Sequence, residues 1–447
     1  IQMAKIKIFA LGGLGENGKN MYVVEVNQHI FILDAGIKYP DIDMYGVDAV
    51  IPNINYLIKN KDRIEGIFIT HGHEDHISAL PYLLKKIPTR VYGTHFTICL
   101  IENLLSENKM DIKNYKLFRI NDTKQLKFKD VTVSIFNTTH SIPESVAIAI
   151  KTEDGPIVYC TDFNFGPTSF GKYQTSYDKI TLGKEHVLAL LSESISAGSI
   201  NRIKNDSLFE HAYKNILINA KGRIIVSAYS SDLNRIQKII NMSIEKGKKI
   251  AIIGRKGEKI INVAIKSNYL DIPKDSFVTL KPYEGIDTGE NRNDLVVIVT
   301  GIRNEPYRLL VRMTLGEDKL IKIGPNDTTV TVCPPVPGTE KVTIDSLNTL
   351  YRYDVNAHIF DKDILRSSHA DKEDLKLLYA MLKPKYIIPV KGEYRHMYEQ
   401  SLVAKDAGYK PENIFLLDNG EAVLLENGEF VGKLAPYGYI KDKHKFL

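Results

Sequence analysis

The run 71–76, which reads H-G-H-E-D-H, carries three imidazoles and two carboxylates on six consecutive residues. Neutral imidazoles and carboxylates are the ligands that Zn²⁺ and Mn²⁺ accept in proteins. A lone histidine at the end of a strand is more often a surface residue or a satisfied core residue than a ligand. Three histidines and an aspartate at the spacing H-x-H-x-D-H reverse that expectation, so the run predicts a metal centre.

Two further metal-capable residues follow apolar segments that we expect to be strands. His140 comes after the segment 131–136, and Asp162 comes after 156–160. Open α/β sheets collect their sites at strand ends, which favours a shared site. Taken singly, each residue has a plainer explanation, because histidine is often structural and aspartate often caps a turn. Their combination with the run 71–76 makes them candidate ligands.

The first predicted strands frame a glycine-rich loop. Residues 5–9 alternate as a strand, the loop 11–18 reads L-G-G-L-G-E-N-G, and residues 22–26 and 30–34 form a predicted hairpin. The loop is neither a P-loop nor a dinucleotide-binding loop, because no Lys-Ser/Thr pair follows it and the next element is a strand. We interpret it as a loop that needs backbone room beside the site.

From about residue 205 the sequence changes to a regular alternation of strands and helices. The segments 224–226, 250–253 and 294–299 are apolar, and a polar loop follows each of them. This pattern predicts an α/β protein in which a doubly wound unit is inserted into the first domain. The loops carry side chains suited to an RNA phosphate backbone, namely Ser230, Ser231, Arg255, Lys256 and Arg303. Solvated loop residues would look the same, because basic side chains are mostly exposed.

Composition excludes few classes of protein. The chain has 447 residues, of which 43% are hydrophobic and 25% charged, and its net charge is +5. A mildly basic chain permits a polyanionic partner without requiring one. The cysteines, Cys99, Cys160 and Cys333, are too widely spaced for a disulfide framework or a thiolate metal site, which favours the cytoplasm. We find no signal peptide and no run of about 18 apolar residues, so we expect no membrane span.

The order of these residues along the chain resembles that of the metallo-β-lactamase fold, an αββα sandwich with two metal ions at one edge. The resemblance implies one ion on His71, His73 and His140, a second ion on Asp75 and His76, and Asp162 bridging the two. Zn or Mn would suit these ligands. Two such ions, about 3.5–4 Å apart, can hold both the attacking and the leaving oxygen of a phosphodiester.

Essentially the whole chain resembles the β-CASP nucleases, and the ribonuclease J family most of all. The residues that carry this resemblance are Glu193, His369 and the segment 392–395. It implies that Glu193 orients His369 as the general acid, with Asp75 and His76 completing the catalytic set. It also implies a metal-dependent ribonuclease of RNA processing and mRNA decay, a 5′-to-3′ exonuclease and endonuclease. Ser367 and Ser368, next to the general acid, would help to seat the RNA 5′ phosphate.

The resemblance also implies domain boundaries. The metallo-β-lactamase domain would cover 3–205 and 355–435, the β-CASP domain 206–354, and a linker toward a C-terminal domain 436–447. Members of the family self-associate, so a homodimer is expected.

One departure from the family concerns the second metal ion. Active members have a histidine ligand where this chain has Lys391. An ammonium repels a cation, which weakens the second site, or it pairs with Asp75 and Asp162 and supplies the missing positive charge. Asp371, near the general acid, would also bring a negative charge toward an RNA phosphate. This pattern resembles the second, less active paralogue of the family, which forms a complex with the active one.

Two other functions remain open. An RNA-binding scaffold that stabilises its catalytic paralogue would need no complete metal centre. A small-molecule hydrolase, such as a lactamase or a thioesterase, is disfavoured because it needs no inserted domain with Glu193 and His369 at strand ends. Metal content discriminates between the nuclease and the scaffold, since two bound ions per chain favour catalysis.

Overall fold

The computed structural model describes residues 4–40, 44, 46–166, 171–200, 206–254, 257–280, 292–336 and 339–434. The chain divides into two compact units. Unit 1 consists of Ile1–His140, Glu144–Ile200 and Ser368–Leu447, and unit 2 consists of Ser141–Pro143 and Asn201–Ser367.

The secondary structure alternates through most of the described chain. The strands are β1 (Lys5–Gly12), β2 (Met21–Val26), β3 (His29–Leu33), β4 (Ile64–Phe68), β5 (Arg90–Gly93), β6 (Lys116–Arg119), β7 (Leu126–Phe128), β8 (Val131–Asn137), β9 (Val146–Thr152), β10 (Gly155–Cys160), β11 (Ala189–Glu193), β12 (Ile224–Tyr229), β13 (Lys249–Ile253), β14 (Leu295–Gly301), β15 (Thr328–Thr331), β16 (Asn356–Ile359), β17 (Tyr386–Val390), β18 (Ala422–Glu426) and β19 (Glu429–Leu434). The helices are α1 (Asn55–Lys59), α2 (Glu74–Ile77), α3 (Leu80–Lys86), α4 (His95–Glu107), α5 (Tyr177–Ile180), α6 (Ser207–Asn219), α7 (Leu233–Glu245), α8 (Gly257–Lys266), α9 (Glu305–Leu315), α10 (Glu340–Arg352), α11 (Lys372–Leu382) and α12 (Tyr394–Asp406).

Two sheets organise the described part of unit 1. One has the strand order β19-β18-β1-β2-β3-β4-β5-β6, and the other has the order β17-β11-β10-β9-β8-β7. In the second sheet β10, β11 and β17 run parallel to one another. Parallel strands end at the same edge of a sheet, so the residues that follow these three strands are brought together there.

The two sheets of unit 1 share one apolar core. Side chains of β2, β3 and β4 in the first sheet belong to the same buried cluster as side chains of β8, β9 and β10 in the second. Helices cover both sheets: α4 packs against β5 and β6, and α11 and α12 bury Leu375, Leu378 and Val403 with residues of β9, β10 and β17. The predicted αββα sandwich is confirmed.

Unit 2 is built on a parallel sheet with the order β13-β14-β12-β15-β16. Helices α7, α8, α9 and α10 connect its successive strands, which is the predicted doubly wound arrangement. The predicted end of this domain at residue 354 differs from the structure. The strand β16 pairs with β15 from Thr328↔Asn356 to Thr331↔Ile359, so it belongs to the inserted sheet, and unit 2 extends to Ser367.

The described helices have at most 13 residues. An α-helix of that length is about 20 Å long, whereas a bilayer core is about 30 Å thick. Accordingly, none of the described helices is long and apolar enough to cross a membrane.

Gly36, just after β3, lets the chain pass close to the start of α2. A Cβ at this position would lie 1.6 Å from the carbonyl oxygen of Asp75 and 2.7 Å from the backbone nitrogen of His76. We therefore expect Gly36→Ala to destabilise the protein by about 1–3 kcal/mol or more in urea unfolding, because the backbone beside the metal-binding run has to move. Gly198→Ala is the control, since the nearest atom there is the flexible Glu399 Cγ at 3.1 Å. Equal stability losses in both variants would contradict the prediction.

Candidate metal centre and acid–base pair

The run 71–76 sits where β4 gives way to α2. His71 follows this buried strand by three residues, and His73 is the residue that precedes the helix. His140 lies three residues after β8, and Asp162 lies two residues after β10. These four residues, which come from three separate strands, converge as the sequence predicts, and we call them the primary cluster.

Four of the six distances between ligand atoms of the primary cluster are close to the edges of a tetrahedron, and all four ligand atoms lie within 4.8 Å of one another. His73 Nδ1 lies 3.1 Å from His71 Nε2 and 3.3 Å from His140 Nε2. Asp162 Oδ2 lies 3.1 Å from His71 Nε2 and 3.5 Å from His140 Nε2. A tetrahedral Zn²⁺ site with bonds of about 2.0–2.1 Å has edges of about 3.3 Å. The residues therefore fit one ion of this kind.

The imidazoles of the primary cluster are held in the form that binds a metal. Burial lowers the pKa of both His71 and His140 well below the usual value, which favours the neutral ring. His140 Nδ1 donates to the carbonyl oxygen of Ser368 at 3.0 Å, which leaves Nε2 as the ligand atom. His71 Nδ1 lies 3.0 Å from the hydroxyl of Thr70, which likewise directs Nε2 toward the cluster.

Asp34, which the sequence pattern does not single out as a site residue, orients the ring of His76 directly and that of His71 through Thr70. It is fully buried after β3, with a φ of 62°. Its carboxylate accepts from His76 Nδ1 at 2.7 Å and from the hydroxyl of Thr70, the residue in contact with His71. Tyr159 also donates to it, at 2.9 Å. A carboxylate directly after a buried strand is the only local signal that could have identified this role.

We expect Asp34→Asn to lower metal affinity about 10–100-fold, the usual cost of losing a carboxylate that orients a metal ligand. The amide keeps the shape of the side chain but can no longer accept from His76, Thr70 and Tyr159 together. Competitive titration of Zn²⁺ against a chelator measures the loss. An unchanged affinity would show that the rings are oriented without Asp34.

A second group of metal-capable residues, which we call the secondary cluster, consists of Asp75, His76 and Asp162. The side chain of Lys391 lies among them. Its Nζ is 2.7 Å from His76 Nε2 and 3.1 Å from Asp75 Oδ2, and it forms an ion pair with Asp162. The predicted pairing of Lys391 with Asp75 and Asp162 is confirmed.

The opposite charges of Lys391 and of the secondary-cluster carboxylates stabilise one another in their ionised forms. Burial alone would lower the pKa of Lys391, but the carboxylates of Asp162 and Asp75 outweigh it and raise the pKa above its usual value. Burial alone would raise the pKa of Asp162, but Lys391 and His76 hold it well below its usual range. The ammonium and the two carboxylates are therefore all charged near neutral pH, and the cluster already contains a cation.

The fully buried carboxylate of Glu193 pairs with the half-buried imidazole of His369. Glu193 Oε2 accepts from His369 Nδ1 at 2.7 Å, and its Oε1 accepts from the backbone nitrogens of Phe163, at 2.7 Å, and Ala370, at 3.3 Å. Burial lowers the pKa of His369, but the charge and hydrogen bond of Glu193 raise it above its usual value overall. His369 Nδ1 is 3.9 Å from Asp162 Oδ1, so this pair lies against the primary cluster.

Asp371 has a different role from the one that we expected near the general acid. It is fully buried, and its carboxylate accepts from the backbone nitrogens of Glu373 and Asp374, both at 2.9 Å. These contacts make Asp371 the helix cap of α11. The carboxylate is therefore oriented toward its own helix. Ser367 and Ser368 precede it and are half-buried.

The structure brings together only some of the residues of unit 2 that we expected to contact RNA. Ser231 and Arg303 are half-buried and lie just beyond β12 and β14, which are parallel neighbours. Ser230 is fully buried, and its hydroxyl donates to the carbonyl of Gly301 at 3.3 Å. A buried hydroxyl offers no surface to a phosphate, so the structure gives Ser230 a structural role instead of the predicted contact. Arg255 and Lys256 lie outside the described residues.

Comparison with known protein families agrees with this architecture. Residues 14–179 match the metallo-beta-lactamase superfamily, and residues 221–350 match the beta-CASP domain of ribonuclease J. Residues 352–416 match the RNA specificity domain of Zn-dependent metallo-hydrolases. The crystal structure of a protein of unknown function from Enterococcus faecalis V583 has a TM-score of 0.64 and 14% identity, covering 94% of this chain and 100% of that chain. That likeness supports the fold alone.

Two relatives show the family. Ribonuclease J 2 of Staphylococcus epidermidis is 37% identical over 421 residues, which are 94% of this chain and 74% of that protein. Ribonuclease J 2 of Staphylococcus aureus is 36% identical over the same length and the same shares. With this identity over nearly its whole length, the chain belongs to the ribonuclease J family of metallo-β-lactamase and β-CASP nucleases.

Proposed function

We propose that this chain hydrolyses phosphodiester bonds of RNA with a bound Zn²⁺ or Mn²⁺ ion, in RNA processing and mRNA decay. The observation that carries the proposal is the tetrahedral spacing of the primary cluster next to the Glu193–His369 pair. A metal site and an oriented proton donor are the two parts that phosphodiester hydrolysis needs. The match of residues 352–416 to an RNA specificity domain supports RNA as the substrate.

Different residues of the chain would bind the metal ion and donate the proton. His71, His73, His140 and Asp162 would hold the ion. When bound, a divalent ion supplies positive charge that makes water a better nucleophile and stabilises the charge on the phosphoryl group. His369 donates a hydrogen bond from Nδ1 to Glu193, so the proton on Nε2 is the one that passes to the leaving oxygen. Glu193 favours the protonated ring before this step and keeps the ring aligned while Nε2 gives up its proton.

We further propose that the activity is weaker than that of family members with a second metal ion. Lys391 takes part in the secondary cluster, where such an ion would bind, and an ammonium provides no vacant coordination position for water. We propose that the protein acts in the cytoplasm as a 5′-to-3′ exonuclease and endonuclease. Because its own activity is weak, it would act in complex with an active paralogue. The names of the two staphylococcal relatives, both ribonuclease J 2, support this partner.

The test uses a 5′-monophosphorylated RNA labelled at its 3′ end and the purified chain. We expect slow hydrolysis in Mn²⁺ or Zn²⁺, none after EDTA, and faster hydrolysis when the active paralogue is added. Size-exclusion chromatography with light scattering would show the complex and any homodimer. Hydrolysis by the chain alone as fast as that of the active paralogue would contradict the weakened activity.

A second candidate function is a scaffold that binds RNA and stabilises the active paralogue without cutting. The ion pairs of Lys391 favour it, because they place a positive charge between two carboxylates without any metal. The same experiment distinguishes the two functions. A scaffold would stimulate the paralogue equally after His369→Ala in this chain, whereas a nuclease would lose its own contribution.

A further inference from the structure

Lys391 lies in a backbone conformation that lysine seldom adopts. It follows β17 directly, with a φ of 51°, and Gly392 after it has a φ of 149°. The left-handed region costs about 1 kcal/mol for a residue with a side chain. Only 2% of the Lys391 side chain is exposed, although lysine is among the residues least often buried. Specific contacts therefore hold this lysine in place.

The ammonium group has as many partners as it has protons. Three N–H donors are available on Nζ. Both carboxylate oxygens of Asp162 and Asp75 Oδ2 provide three acceptors around it, and His76 Nε2 lies 2.7 Å away. Every member of the secondary cluster is therefore bound to Lys391, and a metal ion could enter only after all three contacts had broken.

A closed ring of hydrogen bonds fixes the backbone and the side chain of Lys391 together. The backbone nitrogen of Lys391 donates to the hydroxyl of Tyr22 at 3.1 Å, and that hydroxyl donates to Asn20 Oδ1 at 3.0 Å. Asn20 Nδ2 donates to Asp75 Oδ2 at 3.1 Å, the oxygen that also receives the Lys391 ammonium. Tyr22 and Asn20 are both fully buried, so solvent does not compete for these contacts.

We propose that Lys391 is the permanent second cation of the centre, that Tyr22 and Asn20 are its positioning residues, and that the chain binds one divalent ion instead of two. The ring explains why the lysine does not swing away: moving the ammonium would break its contacts with Asp75 and Asp162 and leave the buried Asp162 without the ammonium. The inference depends on the proposed function in one respect only, namely that a metal ion binds in the primary cluster.

Metal content is the first test. The full chain, stripped with a chelator and dialysed against Zn²⁺ or Mn²⁺, should retain one ion per chain by mass spectrometry of the metal. Lys391→Met has a side chain of similar length without the charge, and Lys391→His restores an imidazole. We expect both variants to retain a second ion, and added metal to raise their melting temperature more than that of the unmodified chain. Two ions in the unmodified chain would overturn the proposal.

Chemical labelling of Lys391 tests the positioning residues. In the metal-loaded protein an amine-acylating reagent, N-hydroxysuccinimidyl acetate, should leave Lys391 largely unmodified. Tyr22→Phe removes only the hydroxyl of the ring, and we expect labelling of Lys391 to rise about tenfold, the effect of losing one buried hydrogen bond. The control is Tyr213→Phe, which removes a buried hydroxyl bonded to Ser243 at 3.0 Å. Equal labelling in the two variants would overturn the role of Tyr22.

Neither measurement depends on RNA hydrolysis. If the chain cut no RNA yet bound one ion and protected Lys391, the proposed function would fail and the inference on Lys391 would stand. If the chain cut RNA but retained two ions, the inference would fail and the proposed function would stand.

Discussion

Replacing His71 with alanine should abolish metal binding and lower RNA hydrolysis about a thousandfold or more. His71 Nε2 contacts both His73 and Asp162, so its loss removes one of the four metal ligands and leaves an incomplete site. Because the proposed reaction depends on the positive charge of the ion, most of the rate depends on this site. Metal analysis and a hydrolysis assay on the same preparation check both effects.

A matched control for this variant is His29→Ala. His29 is another buried histidine of unit 1, and its Nδ1 contacts Glu65 at 2.6 Å instead of the primary cluster. We expect His29→Ala to keep its metal. If His71→Ala retained the ion and its activity, or if both variants lost metal equally, the primary cluster would not be the metal centre.

Glu193→Gln should lower RNA hydrolysis about 10²–10⁴-fold without loss of metal, the usual contribution of a general acid. The amide oxygen can still accept from the backbone nitrogens of Phe163 and Ala370, as Oε1 does now. The amide nitrogen, however, replaces the oxygen that accepts from His369 Nδ1. The ring would lose the contact that keeps it protonated and in the correct tautomer. His369→Ala should cause a similar loss.

The His29–Glu65 pair also provides the control for this prediction. Its heavy atoms lie 2.6 Å apart, close to the 2.7 Å of the His369–Glu193 pair. Glu65→Gln should leave RNA hydrolysis unchanged, whereas Glu193→Gln should reduce it. Binding of uncleaved RNA, measured by filter retention in EDTA, should be the same in both variants. A loss of RNA binding in Glu193→Gln would show that Glu193 positions substrate, contrary to the role proposed.

The candidate site could be predicted largely from short-range patterns. The spacing of the run 71–76 places its ligands at the end of one strand, so no distant information is needed to recognise it. His140 and Asp162 follow β8 and β10, which are both antiparallel to β9 between them, so the two strands end at the same edge of the sheet. Glu193 and His369 are separated by 176 positions, and only their resemblance to a known family linked them.

The sequence could not predict the buried contacts of Asp34 and Ser230. Asp34 is an ordinary carboxylate after a strand until the fold brings it to His76 and Tyr159. Ser230 looks like an exposed loop residue, yet its burial is set by the neighbouring strand β14. Unit 2 extends beyond the predicted end at residue 354, because a short edge strand, β16, can be assigned to a sheet only by its hydrogen bonds.

By itself, the sequence determined the fold class, the metal-ligand types of the primary cluster and the presence of a lysine where the family has a histidine. Only the tertiary structure decided what that lysine does. Lys391 and His76 are 315 positions apart, and their contact depends on the packing of the sheet that contains β17 against the sheet that contains β4. Residue types and spacing specify which chemistry is available, whereas the distances between distant segments, which packing sets, decide that the Lys391 ammonium is bound among the carboxylates.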